Sequence, residues 1–185
     1  MAIKTKGDTR ETLIAAAAAE FGEQGFAGTD TNRIARRAGF APQTFYRWFK
    51  DKTEIFIAVY RAWEDEEAAL MRTLRRQGAG EADVADAAVE HHRGSLMFRR
   101  SLRRLSLEDP QVRAARAQSR LRQVEAIRAW RDGALSPETV ATALLQLERL
   151  SDAVAEGELR DMGLDDTAAR AELARILAEL RGVAP

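Results

Sequence analysis

Apolar residues recur at helical spacing almost from the start of the chain, and nothing alternates as a strand would. Leu13, Ala17 and Phe21 lie four residues apart with Ile14 and Ala18 beside them, which lays one apolar stripe along a helix. No clear run of alternating β-branched residues follows, and alanine is abundant. Prolines stand at 42, 110, 137 and 185, and the first three fit helix starts, where a missing N–H costs little. The pattern predicts an all-α protein of about nine helices.

The first helix is expected to start at Asp8 or Thr9, with Asp8 and Glu11 as a capping box, and to end before Gly25. A second is expected over about 30–38, broken by Gly39, and a third from Pro42 to about Phe49. Asp51 can cap a fourth, running from Lys52 into Arg75–Arg76. Beyond the loop at 77–80, helices are expected at 82–93, 95–106, 110–131, 137–157 and 165–182, with the stretch from Gly157 to Gly163 as a break.

Composition excludes several function classes. The chain has 185 residues and no cysteine, so disulfides and cysteine-based metal sites are impossible. His91 and His92 are adjacent, so on a helix they point roughly 100° apart and are no metal pair by spacing. No apolar run approaches the ~20 residues of a membrane span, and no apolar stretch follows the first basic residues as in a secretory signal. A cytoplasmic protein without metal or cofactor is expected. With no phosphate-cradling glycine loop and no acid–base constellation, it reads as no enzyme.

The 29 basic and 29 acidic residues cancel, but not locally. Residues 1–52 carry a net charge of +3, residues 53–92 one of −5, residues 93–131 one of +8 and residues 132–185 one of −6. All four lysines, Lys4, Lys6, Lys50 and Lys52, fall in the first block. The basic run at 93–131 consists of arginines, among them Arg99, Arg100, Arg103 and Arg104, then Arg113, Arg116 and Arg120. These read as solvated faces paired with the acidic blocks. A pocket for an anionic ligand and direct contact with DNA are the alternatives.

Residues 30–49 carry the strongest functional signal. Two short helices joined by Gly39-Phe40-Ala41 make a helix-turn-helix, whose second helix fits the major groove of DNA. Gln43 and Thr44 near its start suit base edges, since Gln pairs with adenine and Thr touches a thymine methyl. Five of the chain's twelve aromatics lie between Phe40 and Phe49, with Phe40, Phe45 and Phe49 read as core.

Residues 10–60, and above all the segment from Phe26 to Phe56, closely resemble the TetR family of bacterial transcriptional regulators, with landmarks Phe21, Gly25, Thr29, Ile34-Ala35, Ala38-Gly39, Thr44-Phe45-Tyr46, Phe49 and Lys52. The resemblance implies a DNA-binding domain at 1–52 and a helical effector-binding and dimerisation domain at 53–185. It implies DNA contacts from Thr31, Asn32, Arg33, Arg36, Pro42, Gln43, Thr44, Tyr46, Arg47, Trp48 and Lys52. Thr31 would meet a phosphate at the start of the second helix, where N–H groups and the dipole favour an anion. Tyr46 would hydrogen-bond a phosphate, and Lys52 would clamp another. Thr31 stands where an apolar residue is commoner, and Phe40-Ala41-Pro42 replaces a more polar turn.

The rest of the chain matches in helix number and length. Val140, Leu144, Leu147, Ser151 and Val154, with Leu173, Ile176, Leu177 and Leu180, form wide apolar faces expected to dock on a second copy as a four-helix bundle, with ordinary intrachain core as the other reading. The resemblance also implies a ligand cavity in the middle helices. Trp63, Met71, His92, Met97, Phe98, Leu102 and Trp130 are its wall candidates. The function implied is a dimeric repressor released from a palindromic operator by a small molecule; the alternative is a factor acting constitutively or as an activator without an effector.

Overall fold

The computed structural model describes residues 6–182, with side chains from Thr9 onward. Residues 1–5, including Lys4, and the side chains of residues 6–8, with them the Asp8 capping box, lie outside the described residues. Ten helices and no strand occur among the described residues: α1 (Lys6–Gln24), α2 (Thr31–Arg37), α3 (Pro42–Tyr46), α4 (Lys52–Arg76), α5 (Glu81–Arg93), α6 (Leu96–Glu108), α7 (Pro110–Trp130), α8 (Pro137–Glu156), α9 (Glu158–Asp161) and α10 (Thr167–Arg181). The all-α expectation holds. The additional helix is α9, a single turn within the stretch expected to be only a break, while Gly157 takes φ +84 as the α8 cap. α3 stops at Tyr46, three residues short of its expected end.

The chain forms two compact units, residues 1–65 with 97–115, and residues 66–96 with 116–185. In the first, α1, α2, α3, the start of α4 and α6 enclose an aromatic core. Phe21 and Phe26 pack on Phe56 with ring centroids 5.1 and 5.2 Å away, and Phe98 of α6 closes on Phe56 at 5.0 Å. Leu13, Ile34, Phe45, Ile55 and Leu102 complete it. The stripe on α1 is displaced slightly from the sequence reading: Ala16 is buried and Ala18 exposed.

In the second unit α5, α8 and α10 pack against one another. This corrects the expected dimer face. Val140, Ser151, Val154, Leu173, Ile176 and Leu180 are buried within the single chain, and Leu144, Leu147 and Leu177 are half-buried against the same cores. The spacing identified an apolar face correctly, but α8 and α10 turn most of that face inward on α5 and on each other, and of its residues Ile176 also borders the groove outside. A different face remains outside. Leu145 is 56% exposed there, beside an open groove of about 560 Å³ lined by Thr142, Leu145, Arg149, Leu150, Ala153 and Glu172 among others.

Candidate nucleic-acid interface

Asp30 starts α2 by accepting the Arg33 backbone N–H at 2.8 Å. The carboxylate therefore already occupies the helix end that was expected to receive a phosphate at Thr31. The Thr31 hydroxyl instead lies 3.0 Å from that of Tyr46, joining α2 to the end of α3. Between the helices Gly39 takes φ +75, a conformation that favours glycine. The Phe40 N–H returns to the Ala35 carbonyl at 2.9 Å and closes the turn.

α3 is only five residues long. A helix that short cannot hold itself together; burial of Phe45 and Phe49 beside Ile34 and Ala35 fixes it. This anchoring decides what faces outward. Pro42, Gln43, Tyr46 and Arg47 are exposed, Thr44 is half-buried, and Asn32 is exposed on α2. Trp48 is half-buried against the core. Phe40 is likewise only half-buried, whereas Phe45 and Phe49 are fully core as expected.

The basic residues of α2 divide. Arg33 donates from Nε to Glu20 at 3.1 Å, and Arg37 reaches both Glu20, at 3.1 Å, and Glu23. Glu20 is itself buried. Arg37 is held above its usual range by hydrogen bonds to Glu23 and Glu20, and Glu23 is held below its own by Arg37. All three arginines are exposed, and two of them, Arg33 and Arg37, brace α2 against α1. Glu20 is the residue that sequence reasoning missed. The available signal was a carboxylate next to Phe21 on the apolar stripe, facing a helix with three arginines.

Lys52 opens α4 but does not simply extend into solvent. Its Nζ donates to the carbonyls of Phe26 and Thr29, both at 2.8 Å, and lies 4.1 Å above the Phe26 ring. Burial lowers its pKa, partly offset by Asp30. An ammonium has three donors, and these carbonyls engage two. Asp51 caps the helix by accepting the Glu54 N–H at 2.8 Å, as expected.

The expected wall residues of a ligand cavity are divided between the units. Trp63, Phe98 and Leu102 belong to the tightly filled core of the first, where Met97 is exposed. In the second, Met71 is half-buried and Trp130 is 58% exposed. Met97 and Trp130 are thus surface residues rather than enclosed walls. None of the seven lines the groove on α8 and α10.

His92 is buried, with Nδ1 2.8 Å from Asp152 and Nε2 3.2 Å from Glu67, tying α5 to α8 and α4. Among the described residues no His, Asp and Glu group is arranged to hold a metal ion.

The arginine-rich segment is used for structure in several ways. Arg99 is buried with its guanidinium 4.7 Å from the Trp63 ring, so it is not a solvated face. Arg116 and Arg120 both clamp Glu148 on α8, the pairing with an acidic block expected from charge. Arg113 donates to the carbonyls of Ser106 and Leu107 at 3.1 and 2.6 Å.

Residues 13–59 match the family model described as bacterial regulatory proteins, tetR family. The chain carries the TetR-family N-terminal domain. Solved structures extend the likeness to the whole TetR fold. A TetR-family member from Streptomyces coelicolor A3 superposes with a TM-score of 0.64 at 21% identity, covering 91% of this chain and 98% of the other. The fatty acid degradation regulator FadR from Bacillus halodurans gives 0.59 at 17% identity, covering 94% and 96%. The multidrug binding protein EbrR, solved with imidazole, gives 0.64 at 21% identity, covering 90% and 93%. The TetR-type helix-turn-helix is therefore the element built from α2 and α3. No helix among the described residues is long and apolar enough to cross a membrane.

Proposed function

We propose that the protein is a dimeric, sequence-specific DNA-binding repressor, released from a palindromic operator by a small-molecule effector. One observation carries the DNA reading: a five-residue α3 whose aromatic face is buried presents Pro42, Gln43, Tyr46 and Arg47 outward on a TetR-type head. In this reading Gln43 and Thr44 meet base edges, with Pro42 and Asn32 beside them. The paired hydroxyls of Thr31 and Tyr46 would share one phosphate, and the third Lys52 donor would meet another. Arg36 and Arg47 supply further backbone contacts. Arg33 supports them from its ion pair with Glu20. The half-buried Trp48 favours packing over phosphate contact.

In this reading residues 1–52 bind DNA and residues 53–185 bind the effector and dimerise. A second copy would dock on the outer face of α8 and α10, around Leu145, Leu150 and Ala153. Its rim carries Arg149 and Glu172, each paired within the chain, with Glu158 and Arg175 respectively, so a two-fold dimer would set polar pairs around the apolar centre. Two reading heads roughly 34–36 Å apart, or a multiple of that, would then read a palindrome. The names of two fold neighbours, one for fatty acid degradation and one for multidrug binding, support a small-molecule effector. An effector acts by favouring a dimer whose heads no longer match the half-sites.

Selection of bound duplexes from a random pool tests the proposal. A palindromic motif is the expected product; enrichment of none would refute the dimeric reading head. Metabolite addition to the selected complex should release it for some compound class. Unchanged affinity across the screen would favour the constitutive alternative.

A further inference from the structure

We infer that Ser101, on α6, is a positioning residue for Lys52, acting through the backbone of Phe26. The Ser101 hydroxyl donates to the Met97 carbonyl at 3.0 Å and accepts the Phe26 N–H at 3.1 Å. A hydroxyl has one proton to give, so these two bonds fix its polarity. The Phe26 carbonyl accepts from Lys52 Nζ, and the Phe26 ring lies beneath the same ammonium. Residue 26 is thus held by α6 at its N–H and holds Lys52 with its carbonyl and its ring.

The seat is tight. Gly25 takes φ +67, and a Cβ there would lie 3.3 Å from both Met97 Sδ and Ser101 Oγ. The positive φ favours glycine, and a Cβ would require Met97 or Ser101 to give way by a few tenths of an ångström. On the far side, the single Thr29 hydroxyl proton is shared between the Gly25 and Glu20 carbonyls, 2.9 and 3.2 Å away, while the Thr29 carbonyl is the second acceptor for Lys52. The ammonium therefore sits on two carbonyls of one loop, and α6 supplies the hydrogen bond that sets the height of the first. A cation fixed in advance loses less side-chain freedom when it meets a phosphate.

The inference rests on the proposed phosphate role of Lys52, and a double-mutant cycle separates the two. Affinity for a duplex selected from a random pool, and its salt dependence, are measured for Lys52→Ala, Ser101→Ala and the double variant, with thermal unfolding as the fold check. Lys52→Ala should lower the salt slope by about one unit. Ser101→Ala should weaken binding about threefold to tenfold, the scale of one hydrogen bond, and this loss should vanish in the Lys52→Ala background. Ser101→Thr, which keeps the hydroxyl, should bind like the parent. If Ser101→Ala does not fold, Ser101→Cys, close in volume but a weak acceptor, takes its place in the cycle. An unchanged slope for Lys52→Ala removes the phosphate role and the inference with it. A lowered slope with an equal Ser101 loss in both backgrounds removes the inference alone.

Discussion

α3 and α8 are opposite solutions to the same problem. α3 has five residues and is held by what it buries, chiefly Phe45 and then Phe49 just beyond its end. α8 has twenty residues, and its buried face carries Val140, Ala143, Ser151 and Val154. In α3 the aromatic anchors use up the inward face, so what remains can be read as recognition chemistry. In α8 apolar residues lie on more than one face. Leu145 stays exposed while Val140, only five positions away, is fully buried. A short helix with a distinctive anchor reveals its outward side; a long helix with a broad stripe does not reveal which part meets its own chain.

The largest expected effect tests the anchor. Phe45→Ala should cost about 3–5 kcal/mol of stability through lost burial and a cavity, and should abolish DNA binding. Chemical unfolding monitored alongside a binding assay would show both; retained binding would mean that α3 holds its position without the ring. On the other side of the comparison, Leu173→Ala should cost about 2–5 kcal/mol of stability, since that side chain is intrachain core. Leu145→Glu should instead leave the stability of the single chain within about 0.5 kcal/mol and dissociate the dimer, as read by sedimentation. A stable dimer in the Leu145 variant would move the interface elsewhere.

Smaller effects sharpen the reading of α3. Gln43→Ala should relax preference at one base pair, by about 1–3 kcal/mol of discrimination; equal loss on every operator variant would make it a backbone contact. Tyr46→Phe removes the hydroxyl that faces Thr31, and should weaken binding uniformly by about 0.5–1.5 kcal/mol. A sequence-dependent loss in that variant would point to base reading by Tyr46.

Several features of the site were legible in advance. Gly39, Pro42 and the aromatic spacing marked the turn and the second helix, because each has a strong local preference. Glu20 beside the apolar stripe hinted at a partner, but a linear pattern does not distinguish a carboxylate on a helix surface from one buried under two arginines. Lys52 was recognisable as an important cation, but its seat on the Phe26 and Thr29 carbonyls depends on a loop more than twenty residues earlier. The charge blocks indicated that arginines and acids would pair. They did not indicate that Arg99 would be buried against Trp63.

By itself, then, the sequence determined the helical class, most helix limits and the chemistry presented by α3, because these depend on neighbours within a few positions. Tertiary structure decided which apolar stripe is core, which arginines are braces and which hydroxyl reaches the Lys52 loop. Those outcomes depend on contacts between residues far apart in the chain, and a local pattern encodes the capacity for such contacts without the partner.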